Sequence, residues 1–85
     1  MKRVSVKEYR RNMGILIDLD EPDKYSKKHL SGAKNIPYDV LIMNYRELLD
    51  KTRSYCLYCE KGRKSRRAVS MLELYGYNVT QVYYE

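Results

Sequence analysis

The chain has 85 residues, 44% of them hydrophobic, and its 17 Lys and Arg against 11 Asp and Glu give a formal charge of +6. That length makes one small domain, residues 1–85, which buries only about 60–65% of the surface its unfolded chain exposes. No run approaches the ~18 apolar residues of a membrane span and no apolar signal-peptide core opens the chain, so the reading is a cytoplasmic protein without membrane contact.

In chain order, Arg3-Val4-Ser5-Val6 reads as a short edge strand, with Ser5 as a helix N-cap and Glu8 completing a capping box. Lys7 to Asn12 is then expected as a short helix, stopped at Asn12-Met13-Gly14. Ile15-Leu16-Ile17 is an apolar run without polar alternation, which suits a parallel strand covered on both faces, and Asp18 ends it. Asp20-Glu21-Pro22-Asp23 has the marks of a helix start, with an acid at the cap and Pro at an early position; Asp23 to Lys28 would be that helix. His29 to Ala33 reads as a loop, and Lys34-Asn35-Ile36 as a brief strand stopped by Pro37.

Tyr38, Leu41, Ile42, Tyr45, Leu48 and Leu49 recur at three- and four-residue spacing, the stripe of one amphipathic helix or of two short ones in succession. Ser54 to Tyr58 is a second central strand that ends at Cys59. From Ser65, the pattern Ala68, Val69, Leu72, Tyr75 predicts a helix with one buried face, closed by Gly76. Val79 to Tyr84 is a last strand, rich in β-formers. Strands alternating with helices indicate an α/β fold, a doubly wound, mainly parallel sheet of four to five strands with helices on both faces. In such sheets the ligand site lies beyond the carboxyl ends of the strands, where both Asp18 and Cys59 fall.

The stretch from Tyr58 to Arg67 concentrates the chemistry. A strand that delivers a thiol to the mouth of a helix places it where backbone N–H groups and the helix dipole favour negative charge, and such surroundings keep a thiol ionised as a nucleophile. A free thiol, with a pKa near ~8.5, is only a few per cent ionised at neutral pH, so the loop amides with Lys61 and Arg63 are expected to stabilise a sulfur anion. Gly62 fits a tight loop that needs a positive φ.

Three blocks resemble the rhodanese-like family. Leu16-Ile17-Asp18-Leu19-Asp20-Glu21-Pro22-Asp23-Lys24-Tyr25 is similar to its opening, and His29-Leu30-Ser31-Gly32-Ala33-Lys34-Asn35-Ile36-Pro37 to its His-hydrophobic-x-Gly-Ala-x-Asn-Ile-Pro segment. Tyr58-Cys59-Glu60-Lys61-Gly62-Arg63-Lys64-Ser65 resembles its active-site loop, with Cys first and Gly fourth. The resemblance runs from about Val4 to Tyr84. It implies a thiosulfate-type sulfurtransferase in which Cys59 carries a persulfide and Glu60, Lys61, Gly62, Arg63, Lys64 and Ser65 line the pocket for its outer sulfur. It implies a small anionic sulfur donor and a thiol or cyanide acceptor, a protein persulfide partner as a further candidate, and no cofactor or metal. Where the family usually has an Arg after the strand-ending Asp and one apolar residue, this chain has Asp20, so the ion pair of that Arg is absent or replaced. The family's closing segment after the last strand is also missing, which would leave a sheet face or one wall of the mouth open; a homodimer through that face is a candidate.

Cysteine phosphatases on a similar fold need an Arg six positions after the Cys, and here that position is Ser65, with Arg63 four and Arg66 seven positions on. A six-residue loop, Cys59 to Lys64, suits the smaller sulfur ligand. The plainer alternatives are a buried structural thiol at Cys59, and a non-catalytic module binding an acidic protein or RNA through the basic Arg63-Lys64-Ser65-Arg66-Arg67 face. No RNA-binding motif frames the ten tyrosines, so nucleic acid is not the expected partner. Cys56 forms Cys-x-x-Cys with Cys59, but odd spacing on a strand points the two to opposite faces, so burial is expected over a redox or zinc role. His29 reads as scaffold rather than base, and Asp18 as a group that holds loop amides.

Overall fold

The computed structural model describes residues 1–85. Five strands, β1 (Lys2–Ser5), β2 (Ile15–Asp18), β3 (Lys34–Asn35), β4 (Ser54–Tyr58) and β5 (Asn78–Tyr83), form one sheet in the order β1-β5-β4-β2-β3, and every pairing is parallel. Three α-helices connect them: α1 (Pro22–Lys27), α2 (Tyr38–Leu48) and α3 (Arg63–Leu74). β4 is the central strand, and Tyr55, Cys56, Leu57 and Tyr58 are all buried because helices or loops cover both of its faces. On one face Ile17, Tyr55, Leu57 and Val79 pack with Leu41 of α2 and with Ala68, Val69 and Leu72 of α3. On the other, Leu16, Cys56, Tyr58 and Val82 meet Tyr25 of α1 together with Val6, Tyr9, Leu30 and Ala33. The sheet is thus doubly wound, as the alternation of strands and helices implies. No helix is long and apolar enough to cross a membrane.

Tyrosine supplies core bulk in place of Phe and Trp, and its hydroxyls find backbone partners. Tyr58 Oη accepts the Leu30 N–H at 2.9 Å, Tyr55 Oη accepts the Asp50 N–H at 2.8 Å, and Tyr25 Oη donates to the Ala33 carbonyl at 2.6 Å. α2 reconciles the two readings of its stripe: Asn44, at φ −134°, ψ 21°, kinks one continuous segment into two short helices. α3 closes in a Schellman arrangement, with Tyr77 N–H on the Leu72 carbonyl and Gly76 N–H on that of Glu73.

Two expectations need correction. The helix expected over Lys7–Asn12 does not form. Its capping box does, with Ser5 N–H on Glu8 Oε1 at 3.1 Å and Glu8 N–H on Ser5 Oγ at 3.3 Å. One turn follows, Arg10 returns to extended backbone, and a single 3₁₀ turn over Arg11–Met13 leads into β2. A cap removes part of the nucleation cost but cannot extend a helix that has no room to propagate. The bounds of α1 also differ, Pro22–Lys27 rather than Asp23–Lys28: an acid, Glu21, is its N-cap, though without a side-chain bond, and Asp20 turns to another partner.

Candidate active site

Pleat alternation along β4 aims Cys59 at the α2–α3 face, with Tyr55 and Leu57, while Cys56 and Tyr58 point to the other. Both cysteines are free and buried, Cys59 at 3% exposure and Cys56 at 0%. Burial pushes the Cys56 thiol up, with Lys2 partly opposing it.

Beyond Cys59 the chain runs through Glu60 and Lys61 to Gly62, which stands at φ 84°, ψ −14° as the N-cap of α3. This left-handed backbone is open to glycine at little cost, and it swings the chain directly into the helix. The expected six-residue loop, Cys59 to Lys64, is therefore shorter. Arg63 and Lys64, both good helix formers, are the first two residues of α3 rather than loop. Ser65 becomes the third helical residue, whose N–H has no intrahelical acceptor. Cys59 takes that role: Ser65 N–H donates to Sγ at 3.3 Å, and the thiol in turn donates to Ser65 Oγ at 3.5 Å. One helix-terminal amide thus meets the sulfur.

Two clefts flank the loop; Lys61, Gly62 and Arg63 line one of them and Glu60 lines both. One, of about 280 Å³, is lined by Arg3, Glu60, Lys61, Gly62, Arg63, Arg66, Gln81, Tyr83 and Tyr84. The other, of about 340 Å³, lies towards α1 and is lined by Asp18, Asp20, Lys24, Lys27, Lys28, Tyr58, Glu60 and Tyr84. Cys59 lines neither; its sulfur lies beneath the loop. Lys64 is half-buried and lines neither cleft, and Ser65 is fully buried beside the sulfur.

Asp20, where the resemblance implies an Arg, ties down the loop in another way. Its Oδ2 accepts the Glu60 N–H at 2.8 Å, so a carboxylate holds the loop directly after the cysteine. Asp18 supports it: Asp18 is buried, and its Oδ1 accepts the Asp20 N–H at 2.8 Å. Glu60 pairs with Lys24 at 3.0 Å on the surface. The Lys24 ammonium holds the Glu60 carboxyl below its usual range, and Glu60 raises Lys24 in return. Across the α1-side cleft, burial drives the Tyr58 phenol far up, and burial followed by Asp18, Asp20 and Glu60 raises Tyr84. His29 stacks on Tyr25 at 3.9 Å and bonds the Tyr25 carbonyl through Nδ1 at 2.7 Å, an exposed brace at the end of α1.

Two residues that support the loop have no counterpart in the sequence reading. Gln81, on β5 and only 2% exposed, donates through Nε2 to the Gly62 carbonyl and to Ser65 Oγ, each at 3.0 Å. Arg3, on the neighbouring strand and in register with Gln81, donates through Nε to Gln81 Oε1 at 3.0 Å. The available signal was a Gln two residues from Val79, on the same face of a strand rich in β-formers.

A parallel sheet wound on both faces, with a cysteine carried from its central strand to the first turn of a helix, defines an α/β domain built around a thiol-bearing loop. The sequence model of the Rhodanese-like domain matches residues 5–84, and the chain belongs to that family. A tRNA sulfurtransferase of Shewanella amazonensis is 34% identical over 73 residues, covering 81% of this chain and 15% of its own length. The uncharacterized protein YqhL of Bacillus subtilis is 33% identical over 85 residues, covering 98% of this chain and 65% of its own. The crystal structure of a rhodanese-related protein from Thermoplasma volcanium matches with a TM-score of 0.86 at 22% identity, over 98% of this chain and 84% of that one. That last likeness is one of fold.

Proposed function

We propose that the chain is a sulfurtransferase that carries a sulfane sulfur as a persulfide on Cys59. The observation that carries the reading is the aim of the Ser65 N–H, at the positive end of α3, on the Cys59 sulfur. Family membership and the likeness to tRNA sulfurtransferases support it. With thiosulfate as donor, the Cys59 thiolate attacks the outer, sulfane sulfur. A new S–S bond forms to Cys59, the donor's own S–S bond breaks, and its electron pair leaves on sulfite. A thiol or cyanide acceptor then attacks the terminal sulfur, and the Cys59 thiolate departs with the electron pair of the broken S–S bond. The thiolate and the persulfide both place negative charge on sulfur, so one set of donors serves the two. The basic cleft beside the loop favours approach of an anionic donor. Two free thiols fit a reducing, cytoplasmic setting.

Incubation with thiosulfate followed by intact mass tests the reading. The expected result is a gain of one sulfur atom that is lost in Cys59→Ser and retained in Cys56→Ser. Absence of an adduct with thiosulfate and with polysulfide overturns it. A second reading, an interaction module for an acidic protein or RNA, draws on Arg63, Arg66 and Arg67, which are exposed on α3 and form no ion pair. Retained binding of such a partner by a Cys59→Ser chain that shows no sulfur uptake in the parent supports that alternative.

A further inference from the structure

Gln81 and Ser65 share a hydrogen-bond arrangement with more donors than the resting thiol needs. The Gly62 carbonyl accepts three: the Arg66 N–H at 3.1 Å, the Ser65 hydroxyl at 3.2 Å and Gln81 Nε2 at 3.0 Å. A carbonyl oxygen has two lone pairs, so one of these donors can leave without orphaning it. The two N–H groups stay fixed, one by the helix and one by the amide plane. The Ser65 hydroxyl is the rotor. In the thiol form Ser65 Oγ accepts from Cys59 and from Gln81 while its own proton rests on Gly62.

The orientation of the Gln81 amide is set by its far end. Arg3 has only donors, so the group facing it must be Oε1, and Nε2 is thereby turned towards the loop. The Arg3 guanidinium also stacks over the Tyr83 ring at 4.4 Å, which holds it on the β5 side. A cation on Oε1 polarises the amide and strengthens both Nε2 donors.

We infer that Gln81, oriented by Arg3, is a positioning residue that frees the Ser65 hydroxyl to turn from the Gly62 carbonyl onto the Cys59 sulfur when that sulfur becomes anionic. No proton changes owner in this step: the Ser65 O–H rotates, the sulfur gains an O–H donor beside the Ser65 N–H, and Gly62 keeps its Arg66 and Gln81 donors. The Gln81 Nε2–H remains on Ser65 Oγ and makes that hydroxyl a better donor. The inference deepens the sulfur-carrier reading and rests on it for its meaning, but the ionisation it describes is measurable without any sulfur transfer. The other charged groups near this network are Glu60 and Lys61 of the loop and Arg63 and Arg66 of α3, all in the adjoining cleft. They are left unchanged by the test.

The test titrates the Cys59 thiolate by its ultraviolet absorbance in a Cys56→Ala background, with the Cys59→Ser chain as blank. Gln81→Leu is expected to move the midpoint upward by about one pH unit, since a donor one bond removed from the charge is lost. Arg3→Met, at an exposed edge where folding is retained, is expected to move it in the same direction by less. Ser65→Ala is expected to raise the midpoint too, and Gln81→Leu added to it to have little further effect, because both act through one hydroxyl. Midpoints within 0.2 units of the parent in both Gln81→Leu and Arg3→Met, a scale far below the expected shift, overturn the inference, as does full additivity of Gln81→Leu with Ser65→Ala. A shifted midpoint together with no sulfur uptake in the parent leaves the positioning role standing and sinks the sulfurtransferase reading alone.

Discussion

Replacing Asp20 by alanine removes the carboxylate on which the Glu60 amide rests, at 2.8 Å and with Asp20 only 8% exposed. The Glu60 N–H has no other acceptor within the fold, and Asp18, which bonds the Asp20 backbone, is unaffected by the change. A hydrogen bond to a charged acceptor contributes roughly 1.5–3 kcal/mol, and here the exposed Glu60 side chain lets water recover part of the loss, so the expected cost is about 2 kcal/mol. For a domain of this size that lowers Tm by roughly 8–16 °C. Asp20→Asn keeps an oxygen acceptor without the charge and is expected to recover about half. Urea unfolding followed by far-ultraviolet circular dichroism measures the stabilities. Hydrogen exchange at the Glu60 amide measures the tether itself, with about a thirtyfold acceleration in Asp20→Ala. A loss below about 0.5 kcal/mol, or an Asn variant no better than Ala, would refute the claim that this carboxylate anchors the loop.

Gly14→Ala places a methyl group 2.8 Å from the Ser54 carbonyl oxygen and 2.9 Å from its carbon, at φ 152°, against the first residue of β4. The backbone penalty and the clash together are expected to cost about 3 kcal/mol, whereas Gly62→Ala, whose nearest neighbour is Gln81 Nε2 at 3.8 Å, is expected to cost only the left-handed penalty of about 1–2 kcal/mol. Equal losses in urea unfolding would contradict that ranking. Tyr9, Tyr58 and Tyr84 have phenols raised chiefly by burial, so the folded chain keeps protons that the unfolded chain releases near pH 10. Their contribution to stability is therefore full below about pH 10 and is lost as pH rises past it; native phenolate absorbance should lag the denatured titration by these three groups, and coincident curves would oppose the assignment. Cys56 is fully buried, so Ellman's reagent should reach it promptly only after denaturation, and a prompt native reaction of Cys56 in the Cys59→Ser chain would contradict its position.

Much of this architecture is legible in the residues. β4 falls on Ser54–Tyr58 as its apolar run indicates, and the alternation that separates Cys56 from Cys59 follows from the same pleat. Most of what escaped the sequence shares one physical cause, the closing of long loops. Asp20 and Glu60 are 40 positions apart, Gln81 and Ser65 are 16, and Arg3 and Gln81 are 78. No periodicity registers such partners. Asp20 was visible as a residue of the wrong charge in a family position, yet only the folded chain shows it accepting an amide instead of forming a pair. The start of α3 was missed for a local reason: Arg63 and Lys64 read as loop because they are basic, while the decisive residue was Gly62, whose left-handed turn moves the helix back over them.

The pleat of β4 has a consequence for what a loaded sulfur can do next. Many thiol proteins hold a second cysteine beside the first, which gives an oxidised or sulfur-bearing centre an internal way out by disulfide formation. Here the only other thiol sits on the far side of a central strand, packed among Leu16, Tyr58 and Val82. On the proposed reading, a sulfur carried on Cys59 meets no second thiol of this domain. It waits for a nucleophile from outside the domain, and that encounter sets the lifetime of the loaded state.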